Sequence, residues 1–263
     1  MSERRRALVT GASLRLGRAM ALDLAGSGWD VAIHFNGSRD AAEATAEDAR
    51  SLGAQAITIK ADLGNDAEIG GLVPEAVAGL GGPLSALINN ASTFRNDEIG
   101  SITPESWDDG INSNLRAPVM LTQAFAAQAP RAETDSNGEP VARSVVINLL
   151  DQRVLKPTPF FSSYLLAKSA LMTFTRSSAQ ALAPHIRVGA IGPGPTIIAS
   201  RQSEEHFAKQ RSACILGRGS DPEDIVSAMR FILSNKAFTG QMLAIDGGQH
   251  LIWQTPDVQG NPE

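Results

Sequence analysis

Ser144-Val-Val-Ile-Asn-Leu-Leu150 followed by Asp151-Gln-Arg-Val-Leu-Lys-Pro-Thr-Pro-Phe-Phe-Ser-Ser-Tyr-Leu-Leu-Ala-Lys168 is the stretch around which the chain is organised. The first seven residues form a short apolar run with β-branched side chains, the pattern of a parallel strand buried on both faces. From Tyr164 the spacing of Leu165, Ala167, Ala170, Leu171 and Phe174 turns helical. Tyr164 and Lys168 lie four apart and share one helix face. Asp151 falls just past the carboxyl end of the strand, where open α/β sheets hold their ligands. An ammonium beside a phenol favours the phenolate, so Lys168 is expected to lower the Tyr164 pKa and suit it to proton transfer.

Outward from this stretch, strand-like runs and helical stretches alternate. Strands are predicted at 7–10, 31–35, 56–60, 86–89, 145–149, 188–191 and 242–245. Helices are predicted at about 17–26, 40–52, 66–80, 104–128, 164–183 and 222–233. Such alternation predicts a doubly wound parallel sheet with helices on both faces. No internal repeat or dividing linker interrupts the 263 residues, so residues 1–263 read as one Rossmann-like α/β domain. The polar segment Arg131–Arg143 reads as an exposed loop and Gln254–Glu263 as a fraying tail.

Composition narrows the function. Hydrophobic residues make up 43% and charged residues 19%, which is globular rather than disordered material. A net charge of −5 argues against broad nucleic-acid binding. No apolar run is long enough to span a bilayer, and the basic start lacks a signal peptide's apolar region, so a cytoplasmic protein without a membrane partner is expected. Cys214 is the lone cysteine and reads as a buried or idle thiol. His34, His185, His206 and His250 form no ligand-spaced pair, so no metal site is expected.

Thr10-Gly-Ala-Ser-Leu-Arg-Leu-Gly17 joins the first strand to the first helix. Glycine there permits a tight turn and a close approach to a pyrophosphate, and the helix start attracts the anion. The residues placed against the dinucleotide are Gly11, Ser13, Arg15, Leu16 and Gly17, with His34 near the end of the second strand and Asn36, Ser38 and Arg39 beyond it. The stretch beyond that strand holds Asn36 instead of the acid that NAD sites use, with Ser38 and Arg39 following. Neutral and basic groups there suit a 2′-phosphate, so NADP(H) is the expected cofactor. The weaker alternative is that Arg39 only pairs with a surface acid. Asp62, next to Leu63, could accept from the adenine amino group or cap a helix.

Thr10-Gly with Gly17, Asn89-Asn-Ala-Ser92, Asn114, Tyr164-x-x-x-Lys168, Pro193-Gly194 and Asp246-Gly-Gly248 occur in this order along nearly the whole chain. Together they resemble the short-chain dehydrogenase/reductase family. The resemblance implies a seven-stranded sheet, hydride transfer with NAD(P) and a homotetramer. It places Asn90 and Ala91 beside the adenosine ribose, Lys168 also on the nicotinamide ribose, and Pro193, Gly194 and Thr196 at the nicotinamide, and counts Leu63, Ser92 and Tyr164 among the cofactor contacts. Asn114 would anchor a water relaying protons to Lys168 and Tyr164. The segment 196–216 would close over substrate. Trp253, after the last strand, reads as a packing or subunit-contact residue.

One position departs from the family pattern. Asp151 stands where most members carry a serine that donates to a substrate carbonyl oxygen. An ionised acid would repel the oxygen as it gains charge during reduction. It suits a nitrogen that gains a proton instead, as in reduction of a C=N bond, for which Asp151 must be at least partly protonated in the complex. With Arg15, Ser92 and Phe94, the chain is similar to pteridine reductases and dihydromonapterin reductases, where the arginine lies near phosphates and pterin and the phenylalanine stacks on the pterin. The expected catalytic set is Asp151, Tyr164, Lys168 and Asn114. Arg15, Ser92, Phe94, Asp151 and Tyr164 are the expected substrate contacts. A carbonyl reductase and a non-catalytic NADP-sensing protein are the alternatives.

Overall fold

All six residues of Asp30–Phe35 and all six of Ser144–Leu149 are buried, as strands covered on both faces must be. The computed structural model describes residues 4–199 and 202–255. The elements in chain order are β1 (Arg6–Val9), α1 (Arg15–Gly26), β2 (Asp30–Phe35), α2 (Arg39–Ser51), β3 (Ala56–Lys60), α3 (Asp66–Gly79) and β4 (Ala86–Asn89). Then come α4 (Pro104–Ile111), a π turn (Asn112–Arg116), α5 (Ala117–Gln128), β5 (Glu133–Thr134), β6 (Pro140–Val141) and β7 (Ser144–Leu149). The chain continues through α6 (Ser162–Leu182), β8 (Ile186–Pro193), α7 (Glu204–Ser212), α8 (Pro222–Ser234) and β9 (Met242–Ile245).

Seven strands form one sheet in the order β3-β2-β1-β4-β7-β8-β9, all pairs parallel. The order reverses between β1 and β4, and the crevice outside their carboxyl ends is where a doubly wound sheet binds ligand. Apolar side chains of α1, α2 and α8 cover one face; those of α3, α5 and α6 cover the other. Phe125 and Leu121 are fully buried against that second face, each stabilising by roughly 1.5–3 kcal/mol. A buried polar ladder fixes the register of the central strands. Asn89 Nδ2 donates to Asn148 Oδ1, and Asn148 Nδ2 donates to Thr175 Oγ1, each at 2.9 Å.

The expected seven strands are present, with ends within about two residues of those read from sequence. Three segments differ. The helix expected over 104–128 is broken by the π turn. Pro118 supplies the cause: it has no N–H for the Asn114 carbonyl four residues back, and its ring crowds that oxygen. The exposed segment 131–143 contains the β5–β6 hairpin, closed by a turn in which Asp135 Oδ1 accepts from the Asn137 and Glu139 amides. The segment 196–216 contains α7, started by Ser203, whose hydroxyl accepts from the His206 amide. Most of the tail reading, from 256 onward, lies outside the described residues.

Candidate active site

β7 ends at Leu149, and two residues later Asp151 starts a single 3-10 turn, Gln152–Val154. Asp151 is held in two places. Its Oδ1 accepts from the Arg153 amide at 2.8 Å, and its Oδ2 accepts from the Tyr164 hydroxyl at 3.0 Å. Tyr164 reaches this point because α6 starts at Ser162, with Asp97 capping it. The Asp97 carbonyl accepts from the Ser162 amide, and its Oδ1 accepts from the Ser163 amide. One turn on, Lys168 is buried, and its ammonium donates to the Leu149 carbonyl at 2.7 Å.

The electrostatics here reverse the sequence expectation for Tyr164. Its pKa is raised well above the ordinary phenol value, by burial first and then by the charge and hydrogen bond of Asp151; Arg153 pulls the other way. The Lys168 ammonium sits 5.6 Å from the phenol ring centre and is bonded to backbone instead. Its own pKa is lowered to about 8 by burial, against an opposing pull from Asp151. The phenol is therefore a held proton rather than a ready phenolate.

Phe94 stacks on Phe161, with ring centres 4.3 Å apart and planes 13° apart, and meets Tyr164 edge-on at 4.6 Å. The Arg153 guanidinium lies over both phenylalanines, 5.3 Å from Phe94 and 4.9 Å from Phe161. Its Nη1 is 3.7 Å from Asp151 Oδ2. Phe161 is in the left-handed region at φ 60°, a strained choice for an aromatic residue. Gln152 is 6% exposed and lines the same cavity, yet its Oε1 has no partner among the described residues. Sequence reasoning passed over Arg153, Phe161, Gln152 and Asp97. Only the adjacency of Gln152 and Arg153 to Asp151 could have drawn notice.

These groups sit at one end of a cavity of about 900 Å³ that runs over the carboxyl ends of the strands. The other end is the first turn. A Cβ on Gly11, at φ +61°, would stand 2.9 Å from Ala91 Cα; one on Gly17 would stand 2.2 Å from the Gly11 carbonyl. The floor is tied to β4 by Thr10 and Asn90: Asn90 Nδ2 donates to the Thr10 and Gly11 carbonyls, and Thr10 Oγ1 accepts from the Asn90 and Ala91 amides. α1 begins with no side-chain cap and no acid in its first turn. Bare helix amides over a glycine floor fit a dinucleotide pyrophosphate.

Of the residues assigned to the cofactor, Gly11, Arg15, Leu16, Gly17, His34, Asn36, Asp62, Leu63, Asn90, Ala91, Ser92, Tyr164, Lys168, Pro193, Gly194 and Thr196 line this cavity, whereas Ser13, Ser38 and Arg39 do not. α2 starts at Arg39, whose guanidinium lies over the Phe35 ring, 5.4 Å from its centre. The Ser13 carbonyl instead accepts from Thr45. His34 is a brace: Nδ1 accepts from the Gly11 amide and Nε2 meets the Ala61 carbonyl, both at 3.0 Å. That pattern requires the neutral ring protonated on Nε2, and burial lowers the His34 pKa accordingly. Arg15, at φ 55°, donates to the Ile198 carbonyl at 2.8 Å and the Ile197 carbonyl at 2.9 Å, joining the cradle to the segment expected to cover substrate. Asp62 forms an Asx turn with the Gly64 amide, while Asn65 is the cap of α3.

Asn114 lies in the π turn, fully buried and outside the cavity lining. Its Nδ2 donates to the Thr93 and Gly110 carbonyls, and its Oδ1 accepts from Ser92 at 2.6 Å. The Ser92 hydroxyl proton is thus directed inward, leaving that side chain an acceptor toward a ligand. Cys214 is buried, its thiol pKa pushed up by burial, as an idle thiol would be. Among the described residues no cluster of three or more ligating side chains could hold a metal, and no helix is long and apolar enough to cross a membrane.

A pyrophosphate cradle and a Tyr-x-x-x-Lys pair at opposite ends of one cleft define a nucleotide-linked oxidoreductase. The family model described as enoyl-(acyl carrier protein) reductase matches residues 11–250, and the chain belongs to the short-chain dehydrogenase/reductase family, as an NADP(H)-linked oxidoreductase. It is similar to FolM alternative dihydrofolate reductase 1 from Brucella suis, solved in complex with NADP. That likeness has 42% identity and a TM-score of 0.90, covering 98% of this chain and 100% of that one. It is 32% identical to pteridine reductase 1 of Leishmania tarentolae over 93% of this chain and 96% of the relative. It is also 30% identical to the 3-oxoacyl-[acyl-carrier-protein] reductase FabG of Staphylococcus aureus, over 93% and 98% respectively.

Proposed function

We propose that the protein reduces a C=N bond of a pteridine or dihydropteridine at the expense of NADPH. The observation that carries this reading is the carboxyl of Asp151 hydrogen-bonded to the Tyr164 hydroxyl, in the position where a neutral alcohol would serve a ketone. NADPH held over the Gly11–Gly17 turn would supply the hydride for the ring carbon. The ring nitrogen takes one proton, giving the amine and NADP+. Tyr164 holds that proton, since its pKa is raised rather than lowered. Asp151 orients the phenol and shares delivery, and its oxygen favours the nitrogen as it becomes cationic. Lys168 holds the Leu149 carbonyl and offers its charge to the nicotinamide ribose. Phe94 presents an aromatic surface to a flat ring, and Ser92 an acceptor. The buried side chain of Asn114 is engaged with Ser92, Thr93 and Gly110, so its relay water would be held through the main chain. The similarities to FolM and to pteridine reductase 1 accord with this reading.

A second reading, reduction of a 3-oxoacyl thioester or another ketone, is favoured by the similarity to FabG. NADPH oxidation with biopterin, dihydrobiopterin, dihydromonapterin, dihydrofolate and an acetoacetyl thioester separates the two. Turnover of a pterin with none of the thioester is expected, and turnover of the thioester alone overturns the proposal. The cytoplasm and a homotetramer complete the proposal, the first resting on the single cysteine and the second on the family resemblance.

A further inference from the structure

We propose that Arg153 is a positioning residue for the Asp151–Tyr164 pair: it fixes the carboxyl, and its charge sets the pH at which the pair releases its proton. The inference rests on the reading of Asp151 as proton partner of Tyr164. The residue grips Asp151 twice, through its amide on Oδ1 at 2.8 Å and through its guanidinium 3.7 Å from Oδ2, the oxygen that also accepts from Tyr164. The other side of the guanidinium is held by the stacked Phe94 and Phe161 rings. A cation placed between a carboxylate and two stacked aromatic rings has little freedom, and a planar, permanently charged group suits both contacts.

Both partners are largely shielded, with side-chain exposures of 20% for Arg153 and 18% for Asp151, so solvent screens the interaction less than at an open surface. The other charged or titratable groups around the pair are Lys168 on α6, Asp97 beneath the start of α6, and Arg15 and His206 across the cavity. A cation favours the deprotonated form of its neighbours. Arg153 therefore opposes the tightening that burial and Asp151 impose on the Tyr164 proton.

The test compares the kcat–pH profiles of wild type, Arg153→Met and Arg153→Lys, using NADPH and the panel compound that wild type reduces. NADPH affinity serves as the check of folding. Removing the cation keeps the pair protonated to higher pH. The basic limb of the Arg153→Met profile is thus expected about one pH unit above that of wild type, with kcat at neutral pH reduced about tenfold. Arg153→Lys restores the limb but keeps a raised KM, because an ammonium does not stack as the guanidinium does. Arg153→Gln makes the same comparison should the methionine variant fail to fold. A basic limb that coincides with wild type in the neutral variant overturns the inference. Asp151→Asn is measured alongside. If it keeps full activity, the reading of Asp151 falls; if it loses activity while Arg153→Met keeps the wild-type limb, only the role of Arg153 falls.

Discussion

The Tyr164 hydroxyl donates to Asp151 Oδ2 at 3.0 Å across thirteen residues of chain, so the two groups proposed to deliver a proton to substrate are joined by a hydrogen bond. Replacing Asp151 by Ser swaps a carboxyl for a neutral donor. Asp151→Ser is expected to lower kcat/KM for a dihydropteridine by about 100-fold or more, the usual scale of a lost general acid. The same variant should keep or raise any activity on a ketone. Steady-state rates on both substrate types decide it, and an unchanged pteridine rate would falsify the assignment.

Lys168 is a buried cation whose pKa is lowered to about 8 from the ordinary 10.5. The unfolded chain binds the proton more tightly, so at neutral pH burial of the ammonium costs stability. The cost disappears as pH rises through the interval from about 8 to 10.5, where the unfolded state holds more protons. Lys168→Met should therefore raise stability at pH 7 by about 1–3 kcal/mol, after allowing for the lost bond to Leu149, while abolishing turnover. Thermal melts at pH 7 and pH 10 would show the gain at the lower pH and little at the higher.

His34 is buried as the neutral ring, and its folded pKa is lowered from 6.5. Stability from this group is complete above the unfolded value and is lost as pH falls toward the folded one. Melting temperature and NADPH affinity should decline together below about pH 6.5, because protonation of Nδ1 breaks the bond from the Gly11 amide. His34→Gln should melt lower at neutral pH but show a flatter dependence on acid. Parallel acid profiles for the two proteins would refute the brace.

Gln152 Oε1 is a buried acceptor without a partner among the described residues, a situation that costs about 1–3 kcal/mol until something donates to it. Gln152→Leu should leave the ligand-free protein as stable or slightly more so, yet raise KM about tenfold for a ring that presents an N–H to the cavity. Calorimetry on the free protein and KM for the pterin panel test the two halves separately. An unchanged KM would rule out a contact from Gln152 to the ring.

The strands were readable because each is an apolar run, and the buried faces of β2 and β7 leave no polar alternation to confuse the assignment. The π turn was less readable. Its cause, Pro118, is local, but its effect falls on Asn114, four residues earlier. α7 buries none of its residues, so no periodic stripe marked it. In the site, Tyr164, Lys168 and Asp151 come together as their spacing implied, but the sign of the Tyr164 shift depends on burial and on where the Lys168 ammonium ends, neither of which is written in the spacing. The Phe94–Phe161 stack requires a left-handed backbone at Phe161, which a residue type alone does not announce. The charge of Arg39 was legible in its stretch, but its place over the Phe35 ring at the start of α2 was not.

Arg15 binds the carbonyls of Ile197 and Ile198 from its place beside the phosphate cradle. A dinucleotide's phosphates, on arrival, would compete for the guanidinium that clasps the opposite bank, and freeing Ile197 and Ile198 would loosen that bank for the second reactant. The expected kinetic signature is a compulsory order of arrival: coenzyme first, reducible ring second, with product leaving before the spent coenzyme.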